Sequence, residues 1–197
     1  MITIKLSHSI LSAWASGQYE EAIGMYLGKD LPATPAMELG KLKHEIWEKY
    51  IIKNGSLPPE LGGNKLVEPM TEQKWQKIIP LSDDYQILLR GVIDLEDEDV
   101  ITDFKCGFST PTSYLDKVQL DYYKLLRPNA TVGQYICHNS YICDVSCKGD
   151  EHKCYKVGIK FLDDKVAENA LEHIITFGSE IIQYLEANKL IKDYKIK

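Results

Sequence analysis

The pattern of hydrophobic and polar positions is clearest near the middle of the chain. Two runs rich in aliphatic residues, 86–95 and 100–105, favour β-strands. Four consecutive acidic residues, 96–99, separate the runs and predict a tight turn. This stretch is therefore expected to form a β-hairpin.

Apolar residues recur at helical spacing in two longer segments. Residues 36–53 predict an amphipathic helix whose core-facing stripe consists of Leu39, Leu42, Ile46 and Tyr50. The last helix is expected to begin near Asp163 or Asp164, whose carboxylates suit a helix N-terminus, and to run to about residue 188. Its buried stripe is predicted to consist of Val166, Ala170, Ile174, Phe177, Ile181 and Leu185.

Shorter elements complete the prediction. Ser7 or Ser9 is expected to cap a short helix that follows it, with His8 as an exposed loop residue. Thr71 is expected to cap a helical turn that Pro80 ends. The other predictions are a helix over 113–126, strands over 133–142, 143–147 and 154–162, a turn over 148–151, and a fraying basic tail over 189–197.

The order of these elements is helices, strands, a helix, more strands and a helix. That order predicts an α/β fold of mixed α+β character, in which helices flank a central mixed β-sheet. The 197 residues suit one domain over 1–197, and a composition that is 44% hydrophobic and 26% charged argues against wholesale disorder.

Charge and cysteine content bear on partners and location. A formal net charge of −6 argues against nucleic-acid binding by bulk electrostatics, although a local basic groove can still bind a strand. No apolar run reaches membrane-spanning length and no signal peptide is recognisable, so a cytoplasmic location without membrane contact is expected. The five cysteines are then expected to be reduced.

The hairpin carries the candidate chemistry. Asp103 and Lys105 are two apart on one strand and share a face, and the hairpin can bring Asp94 opposite them. Two carboxylates beside an ammonium repel and desolvate one another unless a hard cation such as Mg²⁺ compensates. The backbone carbonyl of Phe104 is a further candidate ligand. If the cation polarises a phosphoryl group, Lys105 could orient or deprotonate the attacking water and stabilise the negative charge that develops on phosphorus.

Other polar residues are candidates for supporting roles. His44 lies one helical turn after Gly40, a glycine that close approach of another backbone would explain. Gln119 and Tyr123 are four apart and share a helix face, where they could hold a phosphate or support the site. Glu68 either lies near the hairpin or is a solvated carboxylate. Lysines near these positions could line a basic groove or be ordinary solvated residues: Lys41, Lys43, Lys117 and Lys124.

Four short motifs follow one another along the chain. They are Gly40-Lys41-Leu42-Lys43-His44, Gly91-Val92-Ile93-Asp94, Asp103-Phe104-Lys105 and Gln119-Leu120-Asp121-Tyr122-Tyr123. With these four motifs the chain resembles the PD-(D/E)XK nuclease superfamily, specifically its RecB/Cas4-like exonuclease branch. The opening residues 6–11 are also similar to the start of the first helix in that family.

The resemblance implies a restriction-endonuclease-like core and Mg²⁺- or Mn²⁺-dependent hydrolysis of DNA phosphodiesters, with exonuclease action expected. It makes His44, Asp94 and Asp103 metal ligands and Lys105 catalytic, with Gln119 and Tyr123 contacting DNA or organising the site. DNA is the expected partner. A second copy of the chain, or a recombination or replication protein, is a further candidate partner.

The cysteines depart from the family pattern. Many relatives in this branch hold an iron–sulfur cluster with one cysteine after the first helix and three late ones. Here residues 15–19 contain no cysteine, and the late set has other spacings, so no cluster is expected: Cys137, Cys143, Cys147 and Cys154. Zinc at these thiolates, with His138 or His152 nearby, is the alternative, but alternating strand positions favour structural thiols.

Two functions from other classes stay open. One is a catalytically inactive DNA- or partner-binding module on the same fold, against which the intact Asp94, Asp103 and Lys105 argue. The other is a zinc-stabilised interaction protein built on the late cysteines.

Overall fold

A computed structural model describes residues 1–29, 32–107, 110–139 and 154–195. Within these ranges the strands form one mixed sheet in the order β1-β3-β4-β5-β6, with β2 paired to the second edge of β3. The strands are β1 (Ile2–Ser7), β2 (Met70–Pro80), β3 (Tyr85–Asp97), β4 (Val100–Cys106), β5 (Val132–His138) and β6 (Tyr155–Phe161). Strands β1/β3 and β4/β5 pair in parallel, and the other pairs are antiparallel.

Helices cover both faces of the sheet, which confirms the predicted mixed α/β fold. They are α1 (His8–Ala15), α2 (Tyr19–Tyr26), α3 (Pro35–Asn54), α4 (Thr112–Leu115), α5 (Gln119–Leu126) and α6 (Asp164–Ala187), with a 3₁₀ turn at Pro59–Leu61. The predicted caps are present, because Ser7 accepts a hydrogen bond from the amide of Ile10 and Asp163 accepts one from Val166. None of the described helices is long and apolar enough to cross a membrane.

The hydrophobic cores on the two faces of the sheet differ in size. The larger core lies where α1, α2, α5 and α6 pack on the sheet, and the predicted stripe of α6 contributes Ala170, Ile174, Ile181 and Leu185 to it. A smaller core lies under α3 and the loop that follows it. It contains Trp47, Ile51, Leu57, Leu61, Leu95, Phe104 and Ile136.

The predicted core-facing stripe of α3 is wrong. Leu42 is 54% exposed and Ile46 is 47% exposed, whereas Trp47 and Ile51 are buried. Residues 47 and 51 are also four apart, so this helix offers two apolar stripes. Contact with the small core selects the second stripe, and sequence periodicity does not distinguish them.

Other boundaries also differ from the prediction. Strand β1 was not expected, and the helical turn expected at Thr71 is instead part of the eleven-residue strand β2. The helix expected over 113–126 is divided into α4 and α5. The strand predicted over 143–147 and the turn over 148–151 lie outside the described residues, as does the end of the strand predicted over 133–142.

The tail does not fray as predicted over its described part. The Asp193 carboxylate accepts a hydrogen bond from the Thr3 amide, and the Tyr194 amide donates to the Thr3 carbonyl, at 3.0 Å in each case. Leu190, Ile191 and Tyr194 pack against the larger core. The tail therefore covers the free edge of β1.

Candidate active site

The site lies where the sheet forks. One edge of β3 pairs with β1 up to Arg90 and then with β4 from Leu95 onward. Because β4 leaves β3 after Thr102, residues 91–94 have no strand partner on this edge. The carbonyl of Val92, which has no strand partner on this edge, accepts a hydrogen bond from the Tyr123 hydroxyl at 2.7 Å. A side chain of α5 thus replaces the missing backbone donor.

The alternation of side chains along β3 is interrupted within the fork. Ile93 lies in the larger core and Leu95 in the smaller one, although residues two apart on a regular strand share a face. On the neighbouring strand, the ladder pairs Thr71 with Leu95 and Gln73 with Ile93 but omits the pair between them. That omitted pair is Glu72, which has φ of 51°, and Asp94. At this interruption both carboxylates lie close to His44 of α3.

These two carboxylates and one imidazole form a candidate cation site. Single ligand atoms of His44, Glu72 and Asp94 all lie within 4.8 Å of one another. His44 Nδ1 is 3.6 Å from Asp94 Oδ2, which also accepts a hydrogen bond from the Phe104 amide at 2.8 Å. One nitrogen and two carboxylate groups are a donor set that fits a divalent cation.

The electrostatics of this group fit a cation as well. Burial raises the pKa of Asp94 well above its ordinary value, and the charge of Asp103 raises it further. Burial, followed by the charge of Glu48, raises the pKa of Glu72. Burial lowers the pKa of His44, which favours the neutral imidazole that binds metals. Burial is the largest cause of all three shifts and disfavours the charged form of each group, which a bound cation would offset for the two carboxylates.

Asp103 lies beside this group in a second network. Its carboxylate is 2.6 Å from Lys105 Nζ and accepts a hydrogen bond from Gln119 Nε2 at 2.5 Å. Lys105 Nζ donates to Gln119 Oε1 at 3.0 Å, so one amide bridges both charges. Gln119 Nε2 also donates to the hydroxyl of Tyr123 at 2.9 Å. The predicted shared face of Gln119 and Tyr123 is thus present.

Aromatic rings surround the ammonium group of Lys105. It lies 5.6 Å from the ring centroid of Tyr114 and 5.9 Å from that of Tyr135. Phe104 points to the opposite side of β4, into the smaller core beside Trp47. Asp103 and Lys105 therefore lie on one face of β4 and Phe104 on the other, as predicted.

Gly91 is required by the close approach of α5. A Cβ atom there would lie 2.6 Å from Leu126 Cδ1 and 3.3 Å from Tyr123 Cε1. No such close approach is found at Gly40, because a Cβ atom added there would meet no atom of the described residues within 4 Å. The expectation of a close backbone approach at Gly40 is wrong.

Several predicted positions lie outside the candidate cation site. Glu68 lies beside the hairpin, where its amide donates to Asp97, but its side chain is exposed and is not one of the three candidate ligands. His8 is half-buried at the start of α1 and its ring contacts Tyr122, so the prediction of an exposed loop residue is wrong. Lys124 is buried and donates to the carbonyls of Pro128 and Ala130, so it does not line a surface path.

Sequence reasoning missed Glu72. Glu72 lies in the polar stretch Thr71-Glu72-Gln73-Lys74, which offers no local signal of a ligand, and the helical turn predicted there excludes a cross-strand pairing with Asp94. Glu72 becomes a candidate only once β2 is recognised as the antiparallel partner of β3.

Of the late cysteines, Cys137 is a buried free thiol, as is expected of a structural thiol. Cys154 is disulfide-bonded, contrary to the expectation of reduced cysteines. Cys143, Cys147 and His152 lie outside the described residues.

A cavity of about 440 Å³ adjoins the fork. It lies between β1, the start of α1, β2, β3 and α5, and shares Gln119 and Tyr123 with the hydrogen-bond network of Asp103. Among the residues that the structure describes, the cationic side chains of Lys5, Lys74 and Arg90 line it and no carboxylate does. A local basic groove is therefore present in a chain whose net charge is −6.

No family model and no curated protein matches the sequence. Solved structures do match the fold. The alkaline exonuclease LHK-Exo from Laribacter hongkongensis, in complex with dAMP, has a TM-score of 0.54 at 14% identity, with 94% of this chain and 91% of that chain covered. A putative exonuclease from Eubacterium rectale has a TM-score of 0.55 at 10% identity, with coverage of 96% and 83%.

A phage-related exonuclease from Haemophilus somnus matches at a TM-score of 0.52 and 10% identity, covering 92% of this chain and 83% of that chain. At such identities the likeness concerns the fold. The chain shares the mixed α/β fold of these alkaline and phage-related exonucleases.

Proposed function

We propose that the protein is a metal-dependent deoxyribonuclease, and that it acts as an exonuclease of the RecB/Cas4-like branch of the PD-(D/E)XK superfamily. One observation carries the proposal. The fork between β3 and β4 places a donor group for a cation, His44, Glu72 and Asp94, beside the ion pair of Asp103 and Lys105.

In this proposal His44, Glu72 and Asp94 hold Mg²⁺ or Mn²⁺. Asp103 and the carbonyl of Phe104 stay predicted ligands. Phe104 lies beside the donor group, because its amide donates to Asp94 Oδ2 at 2.8 Å and its ring centroid is 6.0 Å from that of His44. A divalent cation supplies Lewis-acid chemistry at a phosphoryl group.

The chain's own residues supply position and charge. The ammonium of Lys105 can stabilise the negative charge that develops on phosphorus and can orient the attacking water. Gln119 holds Lys105 and Asp103 at 3.0 and 2.5 Å, which fixes the ammonium relative to the carboxylates. Tyr123 fixes Gln119 in turn and anchors it to the Val92 carbonyl.

The adjoining cavity supports DNA as the substrate. Lys5, Lys74 and Arg90 can neutralise backbone phosphates, which is the main source of affinity for nucleic acid. The complex of LHK-Exo with dAMP shows a nucleotide bound to a protein of this fold, which is consistent with the same substrate class here.

Replacement of Lys105 by methionine tests the site. Because methionine keeps much of the volume but removes the charge, we expect cleavage of end-labelled linear DNA to fall by at least about 100-fold in Mg²⁺. EDTA should abolish cleavage by the wild type. The melting temperature and circular dichroism spectrum of Lys105→Met should remain those of a folded protein.

Lys165→Ala, at an exposed lysine on α6, serves as the control and should cleave normally. Comparison of linear DNA with a covalently closed circle separates exonuclease from endonuclease action. Equal cleavage by Lys105→Met and wild type would refute the assignment of the site. A wild type that binds DNA and Mg²⁺ but cuts no substrate would instead be the inactive binding module.

A further inference from the structure

Trp75 stands apart from the other tryptophans of the chain. The sequence contains three. Trp14 is 7% exposed and Trp47 is fully buried, so both are core residues. Trp75 is only half-buried, lies on β2 opposite Gly91, and forms part of the wall of the basic cavity.

A buried network fixes the ring of Trp75. Its indole N–H donates to the carboxylate of Glu96, which is fully buried in β3. Arg127, at the end of α5, donates to the other oxygen of Glu96 at 2.8 Å, and its guanidinium lies 5.4 Å from the Trp75 ring. The desolvation penalty of a buried ion pair offsets most of what it contributes to stability. The pair of Glu96 and Arg127 does, however, hold the Trp75 ring in one orientation.

The surroundings of the ring suit a nucleotide. Lys74 is adjacent in sequence, and Lys5 and Arg90 line the same cavity. A volume of about 440 Å³ is in the range of sites that hold one small ligand. The cavity reaches the catalytic network through Gln119, so a strand with phosphates on these cations would bring a base to the wall that Trp75 forms.

We infer that Trp75 is a base-stacking residue, which makes the cavity a subsite for a whole nucleotide rather than for a phosphate alone. The inference rests on the proposed function and deepens it. Stacking on an aromatic face tolerates every base, so the subsite would add affinity for a strand without sequence preference.

Tryptophan fluorescence in EDTA, where no cleavage is expected, tests the inference directly. The probes are a short oligothymidylate and an oligonucleotide of the same length made only of abasic units. Oligothymidylate should quench the fluorescence of the wild type and bind more tightly than the abasic strand. Trp75→Phe should keep most of this binding and lose most of the quenching, because it retains an aromatic face but removes the reporter.

Trp75→Leu should bind oligothymidylate about 5- to 100-fold more weakly, the usual contribution of one stacked base, while its affinity for the abasic strand stays unchanged. Trp14→Phe, in the core, is the matched control and should leave both affinities unchanged. A single abasic unit moved along an otherwise intact strand should weaken wild-type binding at one position, and Trp75→Leu should remove that dependence.

An equal loss of affinity for both strands in Trp75→Leu would overturn the stacking role, because a merely structural residue affects any ligand alike. Unchanged affinity for both strands would overturn it as well. In either case a wild type that still cleaves DNA leaves the proposed function intact. If the wild type neither binds nor cleaves DNA, the proposed function itself fails.

Discussion

Asp94 lies in an environment that differs strongly from that of an ordinary surface carboxylate. Its pKa is raised by burial and then by Asp103, so the ionised form costs free energy in the folded protein. The sign follows from linkage. The cost is absent below the ordinary pKa of 3.8, grows as pH rises, and is complete above the raised pKa.

We therefore expect Asp94→Asn to raise the melting temperature of the metal-free protein at pH 8, by about 2–4 °C for each kcal/mol removed. The asparagine oxygen can still accept the hydrogen bond from the Phe104 amide. The stabilisation should shrink as pH falls toward the ordinary pKa. Thermal denaturation in EDTA across this pH range measures it.

Magnesium provides the complementary measurement. Under the proposed function Mg²⁺ binds the folded state, so we expect it to raise the melting temperature of the wild type, whereas Asp94→Asn should respond weakly because it lacks one ligand charge. A variant less stable than the wild type in EDTA at pH 8 would contradict the raised pKa of Asp94.

At the scale of elements, the contact between α5 and β3 positions Gln119 and Tyr123 beside Asp103 and Lys105. Gly91→Ala would place a Cβ atom 2.6 Å from Leu126 and push α5 away from the fork. We expect a loss of about 1–3 kcal/mol of unfolding free energy, typical of overpacking. Cleavage should also fall, because Gln119 and Tyr123 lie on the displaced helix. Urea denaturation and the end-labelled cleavage assay measure the two effects.

Gly40→Ala is the matched glycine substitution in α3. No atom obstructs the new methyl group, and alanine is preferred to glycine in a helix, so we expect a gain of about 0.5–1 kcal/mol. Urea denaturation should show this gain with cleavage activity retained. Destabilisation by Gly40→Ala would mean that the helix has a packing partner at this position.

At the scale of the whole molecule, the C-terminal tail covers the edge of the sheet at β1. The edge of β1 would otherwise expose unpaired backbone groups, which invite aggregation. Residues 193 and 194 cover it through the two hydrogen bonds to Thr3. The first and last described segments are therefore held together beside α2, where the Lys192 amide donates to the Tyr26 hydroxyl.

Asp193→Ala combined with Tyr194→Ala should lower the melting temperature by several degrees and increase light scattering on heating, because both the edge bond and the packing are lost. Lys189→Ala, outside these contacts, should behave as the wild type does. A double variant with an unchanged melting temperature and no added scattering would show that the tail does not protect the edge.

The sequence by itself determined the elements whose signals are local. The hairpin of β3 and β4 follows from its apolar runs and acidic turn, and α6 follows from a strong helical stripe and the cap at Asp163. Asp94, Asp103 and Lys105 were identifiable because order and strand spacing are properties of the chain. The same is true of Gln119 and Tyr123, whose separation of four places them on one helix face.

Tertiary structure decided what depends on which segments meet. Both stripes of α3 are apolar, and only the position of the small core buried Trp47 and left Ile46 exposed. Glu72 faces His44 and Asp94 because β2 pairs with β3 and the ladder is interrupted at that pair. The basic cavity joins residues from the N-terminus to α5. Short-range periodicity carries no information on non-local pairing and packing, so the sequence predicted Asp94, Asp103 and Lys105 as candidate residues but neither Glu72 nor the cavity beside them.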